Sequence, residues 1–362
     1  MIKFYETYKE SKEAFYNSVY KIEDIYNVKL SKNIIYEDLS LDIAEIIPKN
    51  KDKLLFFMTG LHGIEGYVGD FLLREFLENY ISKIDIENTH IIMAHSINPY
   101  GMKYYRKVNE NNVDLNRNFV FDFNNVKQNK GYRENKNLFL PKKINKNFLT
   151  SKFTFYMEVL KHIIYSNKKD LKEATLFGQY EFEKGFFYGG KQMQKSSLIM
   201  KDLYNKCMEY NYKQRIFIDL HTGFGPKYQM SIVNSPYDKR KSNDLIREFD
   251  YPLIQSADGD DFYEINGDMI NYLYNLIDET TDYATCFEFG TLGEGILSQI
   301  KSLRMMIQEN SVYHYYNDKD KIYRNIKNDF KKLYMPNEEK WLKKVVFDFN
   351  KALDGILAYY KY

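Results

Sequence analysis

The spacing of apolar and polar positions divides the chain into alternating helices and strands. Over 4–27, Phe4, Tyr8, Phe15, Val19 and Ile22 recur at helical intervals and predict a surface helix. Residues 40–47 alternate through Leu41, Ile43, Glu45 and Ile47 and read as a strand. Residues 53–60 are apolar throughout, which predicts a central strand covered on both faces. A helix follows at 67–80, with Val68, Phe71, Leu72, Phe76 and Leu77 on one face, then a strand at 90–95 that ends in the turn Asn98-Pro99-Tyr100-Gly101. Further on come a helix at 192–210, strands at 215–221 and 229–234, a helix at 267–276 and a strand at 282–290. The remainder reads helical at 295–308, 319–334 and 338–357. Between 120 and 190 Asn and Lys are frequent, and loops with one helix near 152–166 are expected. Neither an internal repeat nor a Pro/Ser-rich linker divides the chain. Residues 1–362 are therefore expected to form one domain, with a loop-rich insertion at 120–190 and a helical tail from about 295. Alternating strands and helices predict an α/β sandwich.

In such sheets ligands sit beyond the carboxyl ends of the strands. Four polar stretches occupy those ends: 62–65, 98–106, His221 and Glu288.

Composition narrows the function classes. With 52 Lys+Arg against 50 Asp+Glu among 362 residues, no global field recruits nucleic acid or an anionic membrane. The apolar fraction of 44% suffices for a sizeable core. Tyrosine is so frequent, at 34, that scattered aromatics are poor evidence for base stacking. The two cysteines, Cys207 and Cys286, make no disulfide framework and fit a reducing compartment. The first residues lack an unbroken apolar signal segment, and no stretch approaches the roughly 18 apolar residues of a membrane span. A soluble, cytoplasmic protein is the expectation.

The candidate chemistry starts at Thr59-Gly60-Leu61-His62-Gly63-Ile64-Glu65-Gly66, where the apolar strand runs into a glycine turn. Imidazole plus carboxylate suits zinc. His221, at the end of a second strand, is a natural third ligand, and three ligands leave a fourth position for water. The competing reading is of loop histidines with local hydrogen bonds. In Asp114-Leu115-Asn116-Arg117 a guanidinium can grip a carboxylate with an amide beside it, or the segment is a loop held by Asx hydrogen bonds. Arg106 could stabilise an oxyanion or pair with Glu110. Glu288 lies inside an apolar strand, where a carboxylate is either a general base with a raised pKa or half of a buried ion pair. Alternation puts Ala284 and Cys286 on its face, as the expected cleft floor. Cys286 itself, without an evident base, is not read as a nucleophile. His90, His95, His162 and His314 are read as structural, with His95 nearest the cleft.

The ordered set His62-x-x-Glu65, Arg106, Asp114-Leu115-Asn116-Arg117-Asn118-Phe119, His221 and Phe287-Glu288 resembles the zinc carboxypeptidases of the M14 type. The match is closer to a bacterial M14-like branch, in which Asn98-Pro99-Tyr100-Gly101, Asn109-Glu110-x-Asn112, Tyr188-Gly189-Gly190 and Asp219-Leu220-His221-Thr222-Gly223 also look familiar. It is related to the succinylglutamate desuccinylases and aspartoacylases and runs from about residue 54 to about 295. The resemblance implies a three-layer α/β/α sandwich with a mixed, mainly parallel central sheet. It implies one zinc ion on His62, Glu65 and His221, with Asp114 orienting the first histidine. Asn116 and Arg117 would hold the substrate's free carboxylate, Arg106 would polarise the scissile carbonyl, and Glu288 would deprotonate the zinc-bound water. The family's mobile tyrosine has a possible counterpart in Tyr263, with Tyr272, Tyr274 and Tyr283 competing. The expected activity is hydrolysis of an amide bond next to a free carboxylate, on a small peptide. The alternative is deacylation of an N-acyl amino acid. The deacylase branch adds a β-rich C-terminal domain, whereas this tail reads helical. A non-catalytic binding protein on the same fold would have lost a ligand or the base, and here all are present.

Overall fold

The computed structural model describes residues 4–165, 167–255 and 265–362. Eight strands are described: β1 (Val28–Tyr36), β2 (Leu39–Ile46), β3 (Lys53–Thr59), β4 (Thr89–His95), β5 (Gln214–Thr222), β6 (Met230–Asn234), β7 (Ile254–Gln255) and β8 (Tyr283–Phe289). They form one sheet in the order β1-β2-β4-β3-β5-β8-β6-β7. The central run β4-β3-β5-β8 is parallel, and antiparallel pairings flank it on both sides. The α-helices are α1 (Tyr8–Tyr20), α2 (Gly66–Glu75), α3 (Pro99–Lys103), α4 (Lys130–Phe139), α5 (Phe148–Tyr165) and α6 (Lys168–Leu176). Then come α7 (Lys195–Glu209), α8 (Ser242–Glu248), α9 (Met269–Tyr274), α10 (Ile296–Tyr315), α11 (Lys321–Tyr334) and α12 (Glu339–Tyr359).

β3 shows why the sheet is covered twice. Leu55 and Phe57 enter one core with Phe15 of α1, Leu72 of α2 and Phe349 of α12. Leu54, Phe56 and Met58 enter another, with Met200 and Tyr204 of α7 and Leu273 of α9. A strand buried on both faces is apolar at every position, which is what residues 54–58 display. The entry to α1 is fixed by a reciprocal cap between Thr7 and Glu10. No helix of the described residues is long and apolar enough to cross a membrane.

Two departures from the pattern-based expectation have physical causes. β1 was not foreseen, because it is an edge strand whose positions are mostly half-exposed or exposed and carry Lys, Ser and Asn. The stretch 120–190 was expected to hold one helix and holds three, α4 to α6. α4 is rich in Lys and Asn, and its stability comes from packing Tyr132, Leu138 and Phe139 against Phe155 and Val159 of α5.

Candidate metal centre

The carboxyl ends of the three central parallel strands converge on one point. β3 pairs with β5 up to Thr59↔Leu220, and β5 pairs with β8 at His221↔Glu288. Beyond β3 the chain turns at Gly60, whose φ is +65° and where an added Cβ would lie 2.1 Å from Ser96 Oγ, so no other residue fits there. The turn delivers His62 and then a single 3₁₀ turn, Gly63–Glu65. Backbone bonds from Gly63 N and Ile64 N to the carbonyls of Lys107 and Arg106 lock this loop to the next one.

His62, Glu65 and His221 form a buried group whose ligand atoms all lie within 4.8 Å of one another. Glu65 sits between the two rings: Oε1 is 3.0 Å from His62 Nδ1, and Oε2 is 2.9 Å from His221 Nδ1. Each ring turns its other nitrogen to a buried carboxylate. His62 Nε2 is 3.2 Å from Asp114 Oδ1, and His221 Nε2 is 2.6 Å from Asp219 Oδ2. The two Nδ1 atoms therefore converge on the Glu65 carboxylate with the Nε2–H groups held outside, the arrangement in which imidazoles serve as metal ligands. Donor atoms at about 2.1 Å from zinc on a tetrahedron are roughly 3.4 Å apart, so the group needs little movement to accept an ion.

The electrostatics follow from burial. Burial by itself raises the Glu65 carboxyl, but the two histidines outweigh it and hold it down at about 2. Burial lowers the His221 imidazole, and Asp219 and Glu65 more than reverse that, holding it well above the ordinary value. Asp114, opposed by burial, is held well below the carboxylate range by Lys107 and His62. Glu288 differs: burial pushes it up to about 8, with Glu65 adding to the rise, and its Oε2 has no hydrogen-bond partner among the described residues.

Arg117 is buried, and its Nη1 and Nη2 donate to the carbonyls of Asn116 and Leu176, at 2.8 and 3.1 Å. Its Nε has no partner, and no carboxylate lies within ion-pair distance among the described residues. Asn116 donates from Nδ2 to Asp268 and accepts at Oδ1 from Met269 N, so its amide braces the start of α9 and keeps one N–H uncommitted.

Arg106 does not match the role the sequence suggested. Its guanidinium is wholly buried, donates to Glu309, Asn112 and Asn310, and stacks on Tyr313 at 3.4 Å. It does not pair with Glu110 either. The adjacent Lys107 points to the site: its Nζ is 3.4 Å from Asp114 Oδ2, and its charge acts on Glu288. Tyr105 before them has a φ of 48°, so the chain turns just ahead of the two cations.

Sequence reasoning also missed Asp219, although its spacing of two from His221 along a strand puts both on one face. It missed Tyr334 of α11, whose buried phenol is raised by burial first and then by Glu65, Asp114 and Glu288. In so Tyr-rich a chain nothing marked it. Tyr263 lies outside the described residues. Tyr274 and Tyr283 bond to Asp238 and Asn234, and Tyr272 stacks on Phe121. His95 is stacked on Phe15 in the core, where burial pushes it down to about 3.

Comparison with solved structures places the fold. Bovine thrombin-activatable fibrinolysis inhibitor, solved in complex with tick carboxypeptidase inhibitor, matches with a TM-score of 0.50 at 13% identity, over 96% of this chain and 98% of that one. The fold is carboxypeptidase-like, and with the His-Glu-His group at its strand ends the molecule is of the class that can carry a metal there. The chain belongs to the family described as Protein of unknown function (DUF2817), which matches residues 4–348. Carboxypeptidase A from Helicoverpa armigera is 12% identical, with a TM-score of 0.49 over 96% of this chain and 74% of that one. A succinylglutamate desuccinylase/aspartoacylase structure from Shewanella frigidimarina is 15% identical, with a TM-score of 0.38 over 82% and 73%. No curated protein matches the chain.

Proposed function

We propose that the protein is a zinc-dependent hydrolase that cleaves an amide bond adjacent to a free carboxylate. The observation that carries this reading is Arg117, a buried cation whose Nε has no partner and which has no carboxylate within ion-pair distance among the described residues, Asp114 and Asp268 acting on it only from farther away. A buried guanidinium is costly unless paired, and here the substrate's carboxylate supplies the direct partner that the distant Asp114 and Asp268 do not. His62, Glu65 and His221 fit a single zinc ion by donor type, by convergence of both Nδ1 atoms, and by the carboxylates behind both rings. Zinc bound there supplies Lewis acidity and lowers the pKa of a coordinated water toward neutrality.

The protein's own groups do the rest. Arg117 and the free N–H of Asn116 fix the carboxylate end of the substrate and so place the neighbouring amide. Glu288 Oε2 accepts the proton of the attacking water and passes it to the leaving nitrogen. Lys107, rather than Arg106, offers the positive charge for the oxygen of the scissile carbonyl. Asp114 and Asp219 hold the imidazoles in the tautomer that leaves Nδ1 free.

A specific feature favours deacylation of small N-acyl amino acids as the second reading. The insertion closes over Arg117: the Leu176 carbonyl takes Nη2, and an added Cβ at Gly178 would lie 2.7 Å from the arginine Cδ. That roof shortens the substrate. Elemental analysis for zinc, followed by a screen of C-terminal peptides against N-acyl amino acids, tests the proposal. Absence of zinc, or equal turnover of carboxylate-blocked and free substrates, contradicts it.

Two expectations follow from this arrangement. Arg117→Met should lower kcat/KM for substrates with a free carboxylate by about 30- to 1,000-fold, from the loss of a buried charged contact, and leave amidated analogues unchanged. Steady-state kinetics on a matched acid/amide pair decides it. Asp219→Asn should weaken zinc binding by about 10- to 100-fold through the His221 ring, measured by chelator competition.

A further inference from the structure

α5 carries two apolar faces; the fold packs one of them and, among the described residues, touches the other only where Arg304 of α10 reaches the Tyr156 hydroxyl. Phe155 and Val159 are buried against α4 and α10. On the outer side Leu149, Phe153, Tyr156, Leu160 and Ile163 are 39–74% exposed. Their spacing is four, three, four, three, the 3.5-residue repeat of a helix-pairing seam. Met157 and Ile164, both exposed, widen the seam on one side. α10 runs antiparallel to α5, fixed by Gln308 on the Ser151 carbonyl and Arg304 on the Tyr156 hydroxyl. That register brings Ile296 and Leu297, 74% and 83% exposed, toward the Ile164 end of the seam.

We propose that this face is a dimer interface and that its occupant is α5 of a second copy of the chain, packed antiparallel about a two-fold axis. Three observations select a second copy. The repeat extends over an 18-residue helix, about 27 Å long, and a regular heptad seam is complementary to a straight helix with the same seam. With side chains of this size the patch amounts to roughly 1,000 Å² per protomer. That exceeds the ~300–600 Å² largest patch of typical monomers and the ~800 Å² per partner of a standard interface. Antiparallel self-pairing also brings no like charges together: the widened flank is Thr150, Met157 and Ile164, and Lys152 on the other flank is held by Asp329.

Sedimentation equilibrium across the micromolar range tests this on the full chain. The wild type should show twice the monomer mass of 43.4 kDa. The double variant Phe153→Asp, Leu160→Glu should sediment as the monomer, its dimer dissociation constant raised by at least about 100-fold. Its circular dichroism should be unchanged, because both side chains are exposed in the protomer, and its Tm should lose the concentration dependence that dimerisation gives the wild type. A monomeric wild type overturns the proposal, and so does a double variant that stays dimeric and folded. A wild type that is monomeric but co-sediments with phosphatidylcholine vesicles assigns the stripe to lipid instead and overturns it equally. If the double variant fails to fold, Leu149→Glu, at the seam's most exposed position, is read by the same criterion.

Discussion

Glu288→Gln is expected to bind zinc as the wild type does and to lose activity by about 100- to 10,000-fold, the range a general base contributes. The side chain is isosteric and stands outside the His62-Glu65-His221 group, so the metal donors keep their places. What disappears is the proton acceptor. In the native protein burial and the neighbouring Glu65 charge raise this carboxyl, while Oε2 is left without a partner. Glutamine puts a neutral amide there, with no basicity near neutral pH. Zinc content by elemental analysis and kcat on a free-carboxylate substrate together decide the outcome. Full activity in a zinc-replete variant removes Glu288 from the chemistry.

His62→Ala should remove the metal. Structural zinc sites gather roughly 10–16 kcal/mol over four ligands, so one imidazole accounts for a few kcal/mol and affinity drops by about 100- to 1,000-fold. The neighbours worsen the loss. Asp114 loses the ring at 3.2 Å, and Glu65 keeps only the His221 side of its support, with Thr222 N at 2.9 Å. The apoprotein should still fold, because β3 and its two cores do not depend on His62. A melting experiment separates the effects: added zinc should raise the Tm of the wild type and leave that of the variant where it is. Unchanged zinc content in the variant would sink the site.

Much of this centre was legible in the chain. His62, Glu65, His221 and Glu288 could be picked out because each sits where an apolar run ends or is interrupted. In a parallel sheet such points fall on the same edge, and β3, β5 and β8 prove to be neighbours. Burial of both sheet faces writes itself into composition, so the central strands were readable. β1 was not, because an edge strand is half in water and its alternation fades. Helices α4 and α6 were hidden for a related reason: much of their length is polar, and tertiary contacts rather than pattern stabilise them.

Which of two adjacent cations faces the centre shows where reading along the chain stops. Arg106 and Lys107 are adjacent and equally plausible on charge. In the fold the arginine goes to Glu309 and Asn310 of α10, and the lysine to Asp114. The arginine's partners on α10 lie about 200 residues away along the chain, and side-chain direction on a loop carries no period by which to foresee it. Tyr334 enters from α11 for the same reason, and Asp219 acquires a role only because His221 presents its Nε2 there. By itself the sequence determined the α/β sandwich and the residue types at its strand ends, since both follow from local burial and turn geometry. Only the tertiary structure decided which charges face the centre and which are spent on holding the helices together, because that choice is made by contacts between segments far apart in the chain.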